Sequence, residues 1–323
     1  MRPGWPTLSP KPDIAMMTPA VPLSIPVISF DVVHGCQLRC VGCPNSLLKP
    51  KVDRISIADF DRCLRNLDVK KIGLFRLFKF GEPLLHPDLA GLLARIPEQS
   101  WQARQVEIST NAQTVDWDAF EAAIRAGVLT RLVVSCDGDG TAEDYERLRP
   151  PGRWSRLMDF LSRAREVRDR LDPGVALITR TICTDPAGQA RWRDILGPLG
   201  WTPQFRPWLP LPDAVRLEAN PPRSGQGLCF FLENRAFLGV DWDGSVVPCC
   251  MHPDAPVIGN LKEQRYSQIV MGAARRKLMD DLVTDRGRIP VCSACPLDRE
   301  FMVDFFGEDG QNTRPGGVFP IRL

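Results

Sequence analysis

His34-Gly35-Cys36-Gln37-Leu38-Arg39-Cys40-Val41-Gly42-Cys43-Pro44 places three cysteines at C-x3-C-x2-C spacing directly behind a strand-like run, Val27-Ile28-Ser29-Phe30-Asp31-Val32-Val33. Thiolates are the usual ligands of iron–sulfur clusters. Three of them in one short loop can wrap a single 4Fe–4S cubane and leave one iron open to a ligand that is not protein. Two plainer readings stand beside this one: a structural zinc site, or three unrelated core cysteines. Zinc usually takes four protein ligands, often paired at C-x2-C, and this loop offers three in one cluster.

Outward from the loop, the chain reads as repeated strand–helix units. Ser56 and Asp59 form a capping-box pattern ahead of Phe60, Leu64 and Leu67, which share one helix face. A strand at Lys71–Phe80 is followed by Leu89, Leu92, Leu93 and Ile96 at i, i+3, i+4 and i+7. Next comes Gln105–Thr110, with a helix carrying Trp117, Phe120 and Ile124 and stopping at Gly127. Arg131–Cys136 precedes Trp154, Leu157, Met158 and Leu161; Val175–Ile182 precedes Trp192, Ile195, Leu196 and Leu199. A sixth strand falls near Pro203–Trp208. This alternation predicts an α/β fold with a parallel sheet and outer helices. Six units are too few to close an eight-stranded barrel, so residues 26–208 are expected to form a partial (β/α)6 TIM-like barrel. Residues 1–25, rich in proline, read as an irregular extension, and 209–228 as a linker.

Chemistry in parallel α/β folds gathers at the C-terminal strand ends. Those ends carry Phe80-Gly81-Glu82-Pro83, Ser109-Thr110-Asn111 and Ser135-Cys136-Asp137-Gly138, with Arg180 inside strand five and Arg206 near the end of strand six. Taken singly, these are ordinary turn and cap groups, although an interior arginine needs a partner.

From Cys229 the pattern changes. Apolar runs Ala236–Val240 and Ser245–Val247 flank Asp241-Trp242-Asp243-Gly244, a hairpin signal that Cys249 and Cys250 close. Ile258-Gly259-Asn260-Leu261 is read as opening a helix through about Leu282, before Cys292-Ser293-Ala294-Cys295-Pro296. Residues 229–300 therefore form a small second unit, and 301–323 a tail. Four such cysteines could also hold zinc.

Together the two cysteine sets resemble the radical S-adenosylmethionine (SAM) superfamily with a C-terminal SPASM/twitch extension. The resemblance implies that Cys36, Cys40 and Cys43 hold a SAM-binding 4Fe–4S cluster, whose open iron chelates SAM. Phe80-Gly81-Glu82-Pro83 is similar to the family's Gly-Gly-Glu-Pro segment, which holds the SAM amino group; Phe80 replaces the first glycine. Ser109, Asn111, Ser135 and Asp137 become candidates for the ribose or the methionyl carboxylate, and Arg180 for SAM or substrate. Gly42 stands where the family has an aromatic residue whose backbone faces adenine. No cysteine follows Cys295, so the extension is similar to the shorter twitch form. Cys229, Cys249, Cys292 and Cys295 then hold one auxiliary 4Fe–4S cluster, with Cys250 the alternative to Cys249.

The implied reaction is reductive SAM cleavage and hydrogen-atom abstraction from a small-molecule substrate, a sugar, cyclitol or related metabolite, as a dehydrogenation or epimerisation. The four-cysteine spacing looks most like that of 2-deoxy-scyllo-inosamine dehydrogenases. A peptide- or protein-modifying enzyme is the alternative, and a non-catalytic iron–sulfur or zinc scaffold the third. Cys183, just past strand five, is a candidate hydrogen-atom donor. A flavodoxin or ferredoxin is the expected electron donor.

Composition agrees with this frame. The 323 residues are 44% hydrophobic, with 41 basic against 39 acidic residues. That balance provides neither a basic stripe for nucleic acid nor a polybasic membrane anchor. Eleven cysteines, an odd number clustered at ligand spacings, suit a reducing compartment better than a disulfide framework. The expected location is cytoplasmic. Cys63 and Cys136 read as buried bystanders, and His86 and His252 as solvated loop residues.

Overall fold

The computed structural model describes residues 23–207, 229, 232, 237–250, 252–293 and 295. The expected linker and tail lie outside these residues, as does nearly all of the N-terminal extension. The sheet is built on β1 (Ser24–Phe30), the strand that delivers the cysteine loop. A two-residue ribbon, β2 (Val33–His34) against β3 (Asp53–Arg54), closes the base of that loop. β4 (Lys71–Arg76) pairs with β1 in parallel, and β5 (Gln102–Thr110), β6 (Arg131–Ser135), β7 (Ala176–Ile182) and β8 (Thr202–Arg206) follow in chain order, all parallel. Past the short helix α1 (Pro44–Leu48), the crossovers are made by α2 (Ile57–Arg65), α3 (Leu89–Arg95), α4 (Trp117–Arg125), the pair α5 (Ala142–Leu148) and α6 (Trp154–Leu171), and α7 (Pro186–Leu196). This is the expected partial barrel.

Period-two alternation separates two faces. Ile28, Phe30, Phe75, Ile108, Leu132, Val134 and Leu177 point to the helices and join one buried cluster. Phe75 stacks on Trp101 at 5.6 Å between centroids, and Phe60 meets it edge-on. Fully burying one such ring contributes roughly 1.5–3 kcal/mol. The alternate positions, among them Ser29, Arg76, Glu107, Arg131, Ser135, Arg180 and Arg206, face the lumen. Ser56 caps α2 by accepting from the Asp59 amide at 3.1 Å, as its pattern predicts. Gly127 takes a left-handed φ of +66° past α4.

The other edge of β1 is occupied by the C-terminal unit. β9 (Phe237–Val240) pairs with β1 in parallel, then β10 (Ser245–Val247) and β11 (Gly259–Asn260) add antiparallel strands. Among the described residues, one nine-stranded sheet thus joins the first cysteine loop to the hairpin that runs out at Cys249. The single helix expected from Ile258 to Leu282 is not formed. Asn260 instead donates from Nδ2 to the Asp243 carbonyl at 3.2 Å and accepts from the Lys262 amide at 2.8 Å. Such local side-chain bonds compete with helix. The segment forms α8 (Tyr266–Val270) and α9 (Ala273–Asp285) instead.

Candidate functional site

The cysteine loop leaves the sheet through left-handed turns at Gly35 (φ +89°) and Gly42 (φ +75°). A side chain at Gly42 would be strained at that φ. Arg39 and Val41 donate their amides to Pro150 O (2.6 Å) and Leu148 O (2.8 Å), so the loop is pinned to the end of α5. Cys43 N-caps α1, and Ser46 Oγ donates to Cys40 O at 2.6 Å.

Cys36, Cys40 and Cys43 are half-buried. Burial pushes the Cys36 thiol up to about 12, with Glu82 adding to it, and Cys40 up to about 11; Cys43 is also raised. Desolvated thiols ionise when a strongly positive group neutralises them. Two N–H donors already point at Cys36 Sγ: the Leu38 amide at 3.4 Å and Asn111 Nδ2 at 3.3 Å. Arg149, which lies near enough to lower the Cys40 and Cys43 thiols, supplies positive charge from the far side. Three thiols on one loop, with donors to sulfur and a nearby cation, suit a polynuclear iron–sulfur group.

The loop after β4 is locked to this one. Asp31 Oδ1 accepts from the amides of Lys79 (3.1 Å), Phe80 (3.3 Å) and Gly81 (2.9 Å). A Cβ on Gly81 would lie 1.7 Å from Val33 O, so only glycine permits this approach. The Glu82 amide donates to Gly35 O at 3.1 Å, and Asn45 Nδ2 to Phe80 O at 3.0 Å. Glu82 itself is buried, and burial raises its carboxyl. Its Oε1 accepts from Thr110 Oγ1 (2.7 Å) and the Leu84 amide (3.1 Å), its Oε2 from the Asn111 amide (2.7 Å). Glu82 therefore clamps the end of β5.

The remaining strand-end candidates divide. Asn111 belongs to the cysteine loop: besides Cys36, it exchanges amide hydrogen bonds with Gln37 at 3.1 and 3.2 Å. Ser109 and Ser135 stay half-buried at the mouth. Asp137 is engaged internally, paired with Arg149 and accepting from the Ile182 amide at 3.0 Å. Arg180 faces the lumen, 3.3 Å from Glu107 Oε1. Cys183 is not brought to it: its sulfur packs beneath α7, 3.6 Å from Asp185 O, where a Cβ on Gly188 would meet it at 2.9 Å. Cys63 and Cys136 are buried as expected. His86 and His252 are not solvated; both are buried. His86 Nε2 is 2.9 Å from Ile55 O and its Nδ1 accepts from the Asp88 amide, while His252 Nδ1 accepts from the Asp254 amide.

The second cysteine set lines one pocket. Cys229, Cys249, Cys292 and Cys295 share its wall with Leu232, Leu278, Leu282 and Arg286, and Cys250 is absent from it. Burial pushes Cys292 up to about 12, Cys229 and Cys295 add to that, and Arg286 opposes it. Arg286 also donates to Cys292 O (2.8 Å) and Cys295 O (3.1 Å), holding the C-x2-C turn. Cys250 is turned elsewhere, toward Arg76 and Lys79. Four thiols in an apolar wall, with one guanidinium behind them, are a donor set suited to a second cluster.

Sequence reasoning missed Asp31, Gln37 and Arg149. The one available signal was an acid directly ahead of the cysteine loop at the end of β1; nothing in sequence links Arg149 to Cys40.

Comparison with known proteins bears on both cysteine sets. The model of the radical SAM superfamily matches residues 31–180, and that of an iron–sulfur cluster-binding domain, SPASM, matches residues 229–296. No curated protein sequence matches the chain. A crystal structure of BtrN in complex with AdoMet and 2-DOIA superposes with a TM-score of 0.52 at 18% identity, covering 84% of this chain and 92% of BtrN. Polyhistidine-tagged anSMEcpe with bound AdoMet gives 0.54 at 14% identity, over 84% and 89%. Native anSMEcpe with AdoMet and the Cp18Cys peptide gives 0.50 at 13%, over 84% and 89%. At these identities the likeness is one of fold.

Proposed function

This chain belongs to the radical SAM superfamily, an enzyme that uses SAM and iron–sulfur clusters, and from that premise we propose that it abstracts a hydrogen atom from a small-molecule substrate in a dehydrogenation or epimerisation. In our reading Cys36, Cys40 and Cys43 hold the SAM-binding 4Fe–4S cluster, and Cys229, Cys249, Cys292 and Cys295 an auxiliary one. When bound and reduced, the first cluster supplies the electron that splits SAM into methionine and a 5′-deoxyadenosyl radical. The protein's own groups bind, orient and exclude water. The backbone of Phe80 and Gly81, fixed by Asp31, and that of Glu82, fixed by Gly35 O, would meet the SAM amino group. Gly42 leaves its backbone open toward adenine. Ser109 and Ser135 offer hydroxyls to the ribose. Asn111 donates to Cys36 Sγ and tunes that ligand.

The observation that carries the small-molecule reading is the lumen. Arg76, Arg131 and Arg180 converge on Glu107 at 3.0–3.3 Å, a set of convergent polar groups of the kind that orients small ligands. BtrN, seen with AdoMet and 2-DOIA, supports the same class. The second reading, peptide modification, is supported by anSMEcpe with its bound peptide. A flavodoxin or ferredoxin would deliver electrons.

The test is anaerobic iron and sulfide analysis with EPR, comparing wild type with Cys36→Ala/Cys40→Ala/Cys43→Ala, and assay of 5′-deoxyadenosine after SAM and dithionite. About eight irons are expected, falling to about four with loss of deoxyadenosine in the triple variant. Four irons in the wild type would remove the auxiliary cluster. Iron without SAM cleavage would overturn the radical reading.

A further inference from the structure

Among the described residues, the lumen of the barrel gathers four arginines around one carboxylate. Register places Glu107 of β5 opposite Arg76 of β4 and Arg131 of β6. Arg76 Nε lies 3.2 Å from Glu107 Oε1, Arg131 Nε 3.0 Å from Oε2, and Arg180 Nη2 3.3 Å from Oε1. Glu107 is fully buried. Burial alone would raise its carboxyl, but Arg180, Arg76 and Arg131 hold it below the usual carboxylate range. Arg206 completes the set one strand further on, on the same face as Gln204, whose Oε1 accepts from Arg206 Nη2 at 3.3 Å. Burial, then Arg180, Arg76 and Arg131, push Arg206 down to about 10. It is still protonated at neutral pH.

One carboxylate therefore faces four guanidiniums among the described residues. The single carboxylate is also already shared three ways. The Nε groups of Arg180 and Arg206 are buried without a hydrogen-bond partner among the described residues, and Arg206 has no carboxylate within ion-pair distance there. Exposure increases along the belt: the Arg76 side chain is 10% exposed, Arg131 15% and Arg180 24%. The open end of the belt is thus Arg180 and Arg206. A half-buried guanidinium that shares its carboxylate, or has none, is under-compensated, and planar guanidinium forks match carboxylate and phosphate oxygens two at a time.

We propose that the substrate carries a carboxylate or phosphate group, seated between Arg180 and Arg206 with Arg76, Arg131 and Glu107 behind it. This rests on the proposed small-molecule reading and deepens it. SAM brings one carboxylate of its own, too little negative charge to balance the belt. A protonated amino sugar or aminocyclitol is repelled by the same field, so the substrate differs in charge from the amine that the cysteine spacing alone suggests.

The test uses the reconstituted full-length enzyme with SAM bound and a matched series of probes: glucose 6-phosphate, glucuronate, glucose, glucosamine and inorganic phosphate. Isothermal titration at low ionic strength reads their affinities. At least one anionic sugar is expected to bind saturably, about tenfold or more tightly than glucose, and to weaken with salt. Glucosamine is expected not to bind. The ratio of glucose 6-phosphate to glucuronate, with inorganic phosphate alone, shows which anion the belt takes. Arg206→Gln is expected to weaken the anion about tenfold or more, and Arg206→Lys less. Equal affinities across the wild-type series, or no anion binding, would overturn the proposal without recourse to any variant. Formation of 5′-deoxyadenosine by wild type without added sugar tests the radical reading separately, so the two can fail independently.

Discussion

Asp31 shows how much one buried side chain organises. Its Oδ1 gathers three amides of the loop that follows β4, and burial pushes its carboxyl up to about 6 from 3.8, with Lys79 opposing. An acid raised on folding contributes stability that is complete below about pH 3.8 and is lost as pH rises through about 6. Asp31→Asn keeps an oxygen for the three amides and removes the buried charge. Relative to wild type, its Tm is expected to gain a few degrees as pH rises from about 5 to 7.5. Anaerobic thermal unfolding across that range checks this; a constant difference would mean that Asp31 does not titrate there. At this scale the cysteines were legible, because ligand spacing is a local property. The role of Glu82 was not. A carboxylate in a turn looks free until Thr110 and Asn111, 28 and 29 residues away, are seen to claim it.

Among elements, the C-x2-C turn at Cys292 depends on Arg286, whose buried guanidinium bonds two of its carbonyls. Arg286→Ala is expected to cost roughly 3 kcal/mol locally and to empty the second site. Iron should then fall from about eight toward about four per chain, while deoxyadenosine formation continues. Retention of all the iron would show that the turn is preformed without the arginine. The strand–helix alternation was readable because helix and strand periods differ along the sequence itself. The break at Gly259–Asn260 was not, since it depends on a side chain reaching back to Asp243 across the hairpin.

For the whole molecule, the decisive contact is between the barrel and the C-terminal hairpin. The buried Lys79 side chain, in the loop that follows β4, pairs with Asp241 in the hairpin turn, and Trp242 packs on His34 at 5.6 Å. Asn66 Nδ2 donates to Leu261 O at 2.7 Å, and the Tyr266 amide donates to Asn66 O at 2.8 Å. Asp241→Asn leaves the ammonium with Asp31 alone and is expected to cost roughly 3 kcal/mol. Hydrogen exchange should quicken in β9 and β10 together with β1, because they share one sheet; loosening confined to the hairpin would argue against that coupling. What the amino-acid sequence determined by itself was the class of chemistry and the repeating architecture, since thiol spacing and hydrophobic period are written over a few residues. Tertiary structure alone decided which charges meet. Arg76, Glu107, Arg131, Arg180 and Arg206 are 24 to 49 residues from their neighbours in the set, and only strand register in a low-dielectric lumen turns four scattered arginines and one glutamate into a single electrostatic site.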